Sequence, residues 1–492
     1  MYQKCEKIVS YGLFFLLCAS LLILMYLGRY NHPTGDDYYY AGTTKQVWNE
    51  TGSIFAVVGE AAKGVAREYV HWQGTYSAMF LMYLPPNVFG ESGYRLVTAM
   101  MLLLYAGGVF YLLKPILCGV LRGSLHLWCL VSSAFVLLTI QTVPFQGESF
   151  FWYNGSMYYT GFFAVTLFFF GSLCRYILAG RKRYLPVMAL LSLFLAGGNY
   201  VSLLPCILLT LTASVFLLKK RSKKGIAIGI MAVLLLAGLA VSAMAPGNQV
   251  RQDGLWDMSA TKAILKSLLQ GLSYLWAWLR GWWFMTAILL TPFFWKTYGK
   301  IPFSFKYPVL VLGYLYGIFC SMSCPTFYAM NSTGPARALA IVYYGFMLFT
   351  LMGYYYLLGW FYRWQSRRAE AKTGKERPTH KREAANGKRA FGILAVSISI
   401  LFIFRIATGE FARCSSVKAV RILLSGEAYA YEQEYQERLK VLKDPSVQDV
   451  VFLPYEHQPE MLFVGDFTGD AENENNVRIA RYFNKNSIRV QY

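Results

Sequence analysis

Apolar runs of about 20 residues, the length of a bilayer-crossing helix, recur along this chain. The clearest occupy 11–27, 96–113, 125–143, 158–178, 225–245, 307–324, 337–360 and 391–406. A longer apolar region, 184–218, is interrupted by Gly197-Gly198-Asn199 and reads as two short spans meeting at one surface. Another, 274–295, opens with the Trp-rich stretch Trp276-Ala277-Trp278-Leu279-Arg280-Gly281-Trp282-Trp283, as interfacial aromatic belts do. Composition agrees: 56% of the residues are hydrophobic and only 15% charged, where a soluble domain carries about 25%. The expected fold is an all-α polytopic membrane protein of about 11 transmembrane helices, its membrane domain covering 1–408.

A net charge of +21 raises the question of nucleic acid, and its distribution answers it. With the N-terminus cytoplasmic, the inner segments are 1–10, 114–124, 175–183, 219–224, 296–306 and 361–390. They hold 26 of the 47 Lys and Arg residues and four of the 26 acids, leaving 21 bases against 22 acids elsewhere. Basic short loops orient a chain in a membrane, and Lys219-Lys220-Arg221-Ser222-Lys223-Lys224 and the basic cytoplasmic loop 361–390 carry most of the bias. The excess is therefore a topology signal in a multi-pass cell-membrane protein, with an extracytoplasmic C-terminus and no nucleic acid partner. No cleavable signal peptide is expected, because 11–27 lacks a small-residue cleavage site and reads as a retained span. The nine cysteines form no Cys-x-x-Cys and read as small buried hydrophobes, although Cys324 and Cys414 both fall on the outer side, where pairing is chemically open to them.

The polar and aromatic motifs gather outside. Outer loop 28–93 is too long to be structureless, and its 44–70 portion reads as helices lying along the interface. It opens with Gly35-Asp36-Asp37-Tyr38-Tyr39-Tyr40, later carries His71-Trp72-Gln73-Gly74-Thr75-Tyr76-Ser77, and ends in a re-entrant or interfacial apolar piece before Pro85-Pro86. Later outer loops hold Glu148, then Trp152-Tyr153-Asn154-Gly155, the break at Asn199, Pro246-Gly247-Asn248 with Arg251, and the approach to Arg337. Paired carboxylates beside an interface are costly unless solvated, paired or used, so Asp36-Asp37 suits an acid–base centre or a solvated turn. Residues 409–492 read as a small α/β extracytoplasmic region, with helices over 417–442 and 476–483 and a buried strand over 449–454. Within it, Asp466-Phe467-Thr468-Gly469-Asp470 fails the EF-hand spacing and reads as a surface loop.

On these residues the chain resembles the GT-C superfamily of polytopic membrane glycosyltransferases, specifically its bacterial members. The likeness rests on the acidic pair after the first span, the long helical first loop, His71-Trp72-Gln73-Gly74, Trp152-Tyr153-Asn154-Gly155, and Pro246-Gly247-Asn248 followed by Arg251. The resemblance implies a polyprenyl-phosphate-linked sugar donor and an acceptor hydroxyl, on a cell-envelope glycan or lipid, at the outer face. It also implies a catalytic base in the first outer loop. That is Asp36 or Asp37, with Asp37 slightly favoured and Asp36 orienting it or binding a sugar hydroxyl or metal.

The chemistry fits these residue types. A carboxylate within about 3 Å of a hydroxyl can take its proton. The departing phosphate needs a positive partner, for which Arg251 and Arg337 are best placed. His71 can bind phosphate or sugar, Trp72, Tyr76, Trp152 and Tyr153 can stack on a sugar, and Asn154, Asn199 and Asn248 can bond its hydroxyls. Each also has a plainer use as interfacial anchor, aromatic belt or Gly-adjacent turn. No cofactor is indicated, and a divalent metal would have to rest on Asp36, Asp37 or Glu148. The chief rival is a transporter or flippase of lipid-linked saccharides, which should show ionisable groups at mid-membrane or an internal repeat; neither is evident. An assembly protein using its tail, or an acyltransferase, accounts for less of the pattern.

Overall fold

The computed structural model describes residues 2–252, 258–373 and 396–491. The basic loop beyond 373 and the first five residues of the span expected over 391–406 lie outside these.

The chain opens with α1 (Tyr2–Leu27), a long apolar helix. Loop 28–93 then folds as α2 (Asp36–Thr51), α3 (Ile54–His71) and α4 (Tyr76–Met82). Gly52, left-handed at φ 60°, ends α2, and the Ser53 hydroxyl caps α3 by accepting the Ala56 N–H. With seven residues, α4 is far too short to cross a bilayer. Its Ser77 and Ala78 amides donate to Gly197 O at 3.0 Å, which pins it to the break in the 184–218 region.

Next come α5 (Val97–Lys114), α6 (Leu125–Thr142), and a short α7 (Tyr153–Ser156) that runs through a wide turn into α8 (Phe162–Ala179). The expected break at 197–199 separates α9 (Tyr184–Ala196) from α10 (Tyr200–Lys219), and α11 (Lys224–Ala243) and a one-turn α12 (Gly247–Gln252) follow. The span expected over 274–295 is two helices instead, α13 (Ala260–Trp278) and α14 (Trp282–Tyr298). Gly281, at φ 68°, turns the chain within the Trp-rich stretch, so those tryptophans sit at a corner. The remaining apolar helices are α15 (Pro308–Ser321), α16 (Cys324–Met330), α17 (Ala336–Thr373) and α18 (Val396–Ala407).

Among the described residues, eight helical runs are long and apolar enough to cross a membrane. The other three expected spans correspond to shorter helices: α9 with 13 residues, α14 with 17, and α18. Three of the basic segments, 114–124, 296–306 and the start of 361–390, are joined near the end of α1 that carries Glu6. There the Ser124 hydroxyl donates to Glu6, Arg122 donates to Lys300 O, and Arg363 donates to Tyr298 O and Phe303 O. None of the nine cysteines, Cys324 and Cys414 included, is in a disulfide.

The C-terminal region is α/β. The helix expected over 417–442 is split by Gly426, at φ 78°, into α19 (Ser415–Leu424) and α20 (Glu427–Lys443). Then follow β1 (Asp449–Phe452), α21 (Glu474–Tyr482) and β2 (Ser487–Val490). The strands pair in parallel, Val450 opposite Ile488, with α21 in the crossover, as parallel pairing requires. β1 alternates exposed and buried residues, so it is half-buried rather than fully buried.

This region grips the first loop. Tyr38 is buried among Leu442, Val450, Ile479 and Ile488, and its hydroxyl meets that of Tyr435 at 3.0 Å. His32 stacks on Tyr435 at 3.6 Å and lies 2.9 Å from Glu432, which also pairs with Arg95.

Candidate functional site

Gly35 is a non-helical N-cap (φ 50°), so α2 begins with both acids in its first turn, where the helix dipole favours negative charge. Successive residues on a helix point about 100° apart, and the two carboxylates consequently part company.

Asp37 is fully buried. Its Oδ2 accepts the Tyr94 hydroxyl at 2.6 Å and the Thr34 N–H at 3.1 Å, and its Oδ1 accepts the Asn154 N–H at 3.1 Å. Tyr94 in turn accepts the Tyr153 N–H at 2.8 Å. Burial pushes the Asp37 carboxyl up to about 7, against the pull of these hydrogen bonds.

Asp36 instead faces a cavity of about 420 Å³ and accepts an N–H of Arg478 at 3.3 Å. Four guanidinium groups line that cavity, from Arg67, Arg251, Arg337 and Arg478, against the carboxylates of Asp36, Glu68 and Glu474. All four arginines lie over aromatic faces: Arg67 over Tyr83 at 5.8 Å, Arg251 over Trp72 at 5.4 Å, Arg337 over Trp152 at 4.9 Å and Arg478 over Tyr39 at 4.2 Å. Arg337 is also braced by Glu148 at 3.2 Å. Glu68, near the end of α3, accepts the Tyr83 and Tyr39 hydroxyls and so fixes part of the wall.

Three residues of this lining, Gln73, Trp152 and Asn154, carry buried side-chain atoms without a hydrogen-bond partner. Both side-chain amide atoms of Asn154 and the indole Nε1 of Trp152 lack a hydrogen bond, although these residues are only 2% and 8% exposed. Buried polar groups in folded proteins are nearly always satisfied, so orphans lining a cavity mark where a polar ligand completes the set.

Of the residues singled out in the sequence, Asp36, His71, Trp72, Trp152, Asn154, Arg251 and Arg337 converge on this cavity. Asp37 stands behind the wall. Three others brace the scaffold. The Tyr76 hydroxyl donates to Leu193 O, Asn199 caps α10 and donates to Tyr158 O, and Asn248 accepts the Gly74 N–H while donating to Ser242 O. The Tyr153 hydroxyl likewise donates to Leu81 O. Among the described residues no three of His, Cys, Asp and Glu gather as a metal site. The donor set around Asp36 is dominated by arginine, and it does not suit a cation.

The sequence reading missed Tyr39, Arg67, Glu68, Glu474 and Arg478. Arg67 and Glu68 lie four and three residues before His71 on one helix, a spacing that shares a face and was a usable signal. Nothing in the sequence joins Arg478 to Asp36, which are brought together from opposite ends of the chain.

No known family model matches this chain, and no curated protein does either.

Proposed function

We propose that the protein is a membrane glycosyltransferase that moves a sugar from a polyprenyl-phosphate donor to an acceptor hydroxyl at the extracytoplasmic face, in a chain of about 11 crossings with a cytoplasmic N-terminus. The observation that carries this reading is the arginine-rich cavity, with Asp36 among its carboxylates and orphaned hydrogen-bonding groups in its wall. The acceptor oxygen forms the new bond to the anomeric carbon while its proton passes to Asp36. The bond from that carbon to the phosphate oxygen breaks, and its electron pair leaves on the lipid phosphate. Arg251 and Arg337 are suited to take that charge, because bidentate guanidinium contacts fit a phosphate. Asp36, not the buried Asp37, is the base in this scheme, and Asp37 is a positioning residue.

The test uses full-length protein in nanodiscs with a panel of polyprenyl-phosphate sugars. Asp36→Asn should cut turnover by about 10²–10⁴-fold, the usual worth of a general base, while donor binding survives. Donor binding with no turnover in any form of the protein, wild type included, would replace the transferase reading with a flippase for lipid-linked saccharides.

A further inference from the structure

A second cavity, of about 220 Å³, lies between the start of α2 and the C-terminal region. Two residues, Asp36 and Trp152, line both it and the arginine-rich cavity. We propose that this smaller cavity is a binding compartment for a neutral saccharide, the group that presents the acceptor hydroxyl to Asp36. Its role as acceptor rests on the transferase reading; its capacity to hold a saccharide does not.

The two compartments differ in charge. The larger one has four arginines. The smaller has a single one, Arg438, which is held by Asp466 at 2.6 Å with both side chains nearly buried. Arg438 also lies 3.6 Å from the Tyr455 ring, so its charge is spent within the protein. An anionic ligand therefore gains little from the smaller compartment and much from the larger.

The walls of the smaller compartment are rings. Tyr431, Tyr435 and Tyr455 come from the C-terminal region, joined by Phe467, and Tyr38 and Trp152 close the other side. Flat aromatic faces with hydroxyl groups at their edges suit a pyranose, which offers C–H faces for packing and hydroxyls for hydrogen bonds. The Tyr38 and Tyr435 hydroxyls already meet each other at 3.0 Å, each keeping further hydrogen-bonding capacity. A further pointer to a ligand is Trp152, which lines both cavities and is more than nine-tenths buried with its indole N–H unpartnered. A hydroxyl oxygen entering beside it supplies the missing acceptor.

Asp36 is the carboxylate common to both linings. A hydroxyl held on the aromatic side and an anomeric carbon held on the arginine side therefore meet at the same base. The bond changes are those already given, with the proton going to Asp36 and the electron pair to the phosphate.

Gly465 provides the test, because it lines the smaller cavity and nothing lies within 4 Å of where its Cβ would be. Gly465→Trp adds bulk at that wall, Gly465→Ala is the control, and Phe467→Ala removes a wall without adding bulk. Full-length protein in nanodiscs is titrated with neutral di- and trisaccharides, followed by calorimetry, and donor transfer and donor hydrolysis by water are measured alongside. Saccharide binding should weaken about tenfold or more in Gly465→Trp and Phe467→Ala, equivalent to about 1.4 kcal/mol, and hold in Gly465→Ala. The ratio of transfer to hydrolysis should fall with it. No saccharide binding by wild type, or wild-type binding in both Gly465→Trp and Phe467→Ala, overturns the compartment. Binding lost in Gly465→Trp, with no donor turnover even in wild type, supports the compartment and overturns the transferase reading.

Discussion

Asp37 and Asn154 are joined by a hydrogen bond of 3.1 Å from the Asn154 backbone N–H to Asp37 Oδ1, across 117 positions of sequence. That bond ties the first loop to the segment preceding α8, and the same segment holds Trp152 and Asn154 against the cavity. The buried acid thus sets the geometry around the accessible one.

Asp37→Ala should destabilise the protein by about 2–4 kcal/mol. It strips the acceptor from the Tyr94 hydroxyl and from the Thr34 and Asn154 N–H groups in a buried place. Thermal unfolding in detergent measures this. A midpoint equal to that of wild type excludes the tie.

The same carboxyl makes stability depend on pH with an unusual sign. Its ordinary value is 3.8 and burial raises it to about 7 in the fold. Between those values the unfolded chain has released the proton and the folded protein still holds it. Stability from this group is therefore full below about pH 4, falls as pH rises to about 7, and is level above. Asp37→Asn removes the group. The stability difference between wild type and variant should shrink or reverse across that window, and parallel pH profiles would contradict the assignment.

Arg478→Ala should reduce turnover about tenfold or more while shifting stability by less than about 1 kcal/mol. The ion pair with Asp36 is partly solvated, which limits its structural worth, but the guanidinium helps orient the carboxylate and line the cavity. Arg478→Lys should rescue only part of the activity, because an ammonium lacks the planar fork. Full activity in Arg478→Ala would remove α21 from the site.

Gly74→Ala should be among the most damaging small substitutions in the first loop. A Cβ there would lie 1.9 Å from Ser242 O at the end of α11, a backbone atom that cannot swing away. The strain falls on the Asn248 hydrogen bonds to Gly74 and Ser242, and a loss of about 2 kcal/mol or more is expected. Expression level and unfolding temperature, compared with Gly42→Ala, give the check, since Gly42 has open space at its Cβ position.

Hydrophobic length alone announced the helices, because a bilayer-scale apolar run has few other uses, and the break at 197–199 was legible from its glycines. Gly281 and Gly426 were equally visible, yet each ended a helix inside a stretch whose composition read as continuous. β2 went unread because Ser487–Val490 is four residues long and gains its partner only from β1.

The candidate site divides in the same way. The sequence by itself determined the apolar helices and the segregation of basic from polar-aromatic loops, for these follow from local composition. It also brought forward seven of the cavity residues, as loop motifs with Trp, Asn or Arg beside Gly. Only the tertiary structure decided that Asp36 and Asp37 do different things. One residue of helical rotation sends the first carboxylate to the cavity and the second into the packed wall, where burial shifts its proton affinity. It alone decided that Arg478 meets Asp36, because side chains so far apart in sequence are brought together only by the packing of α21 against α2.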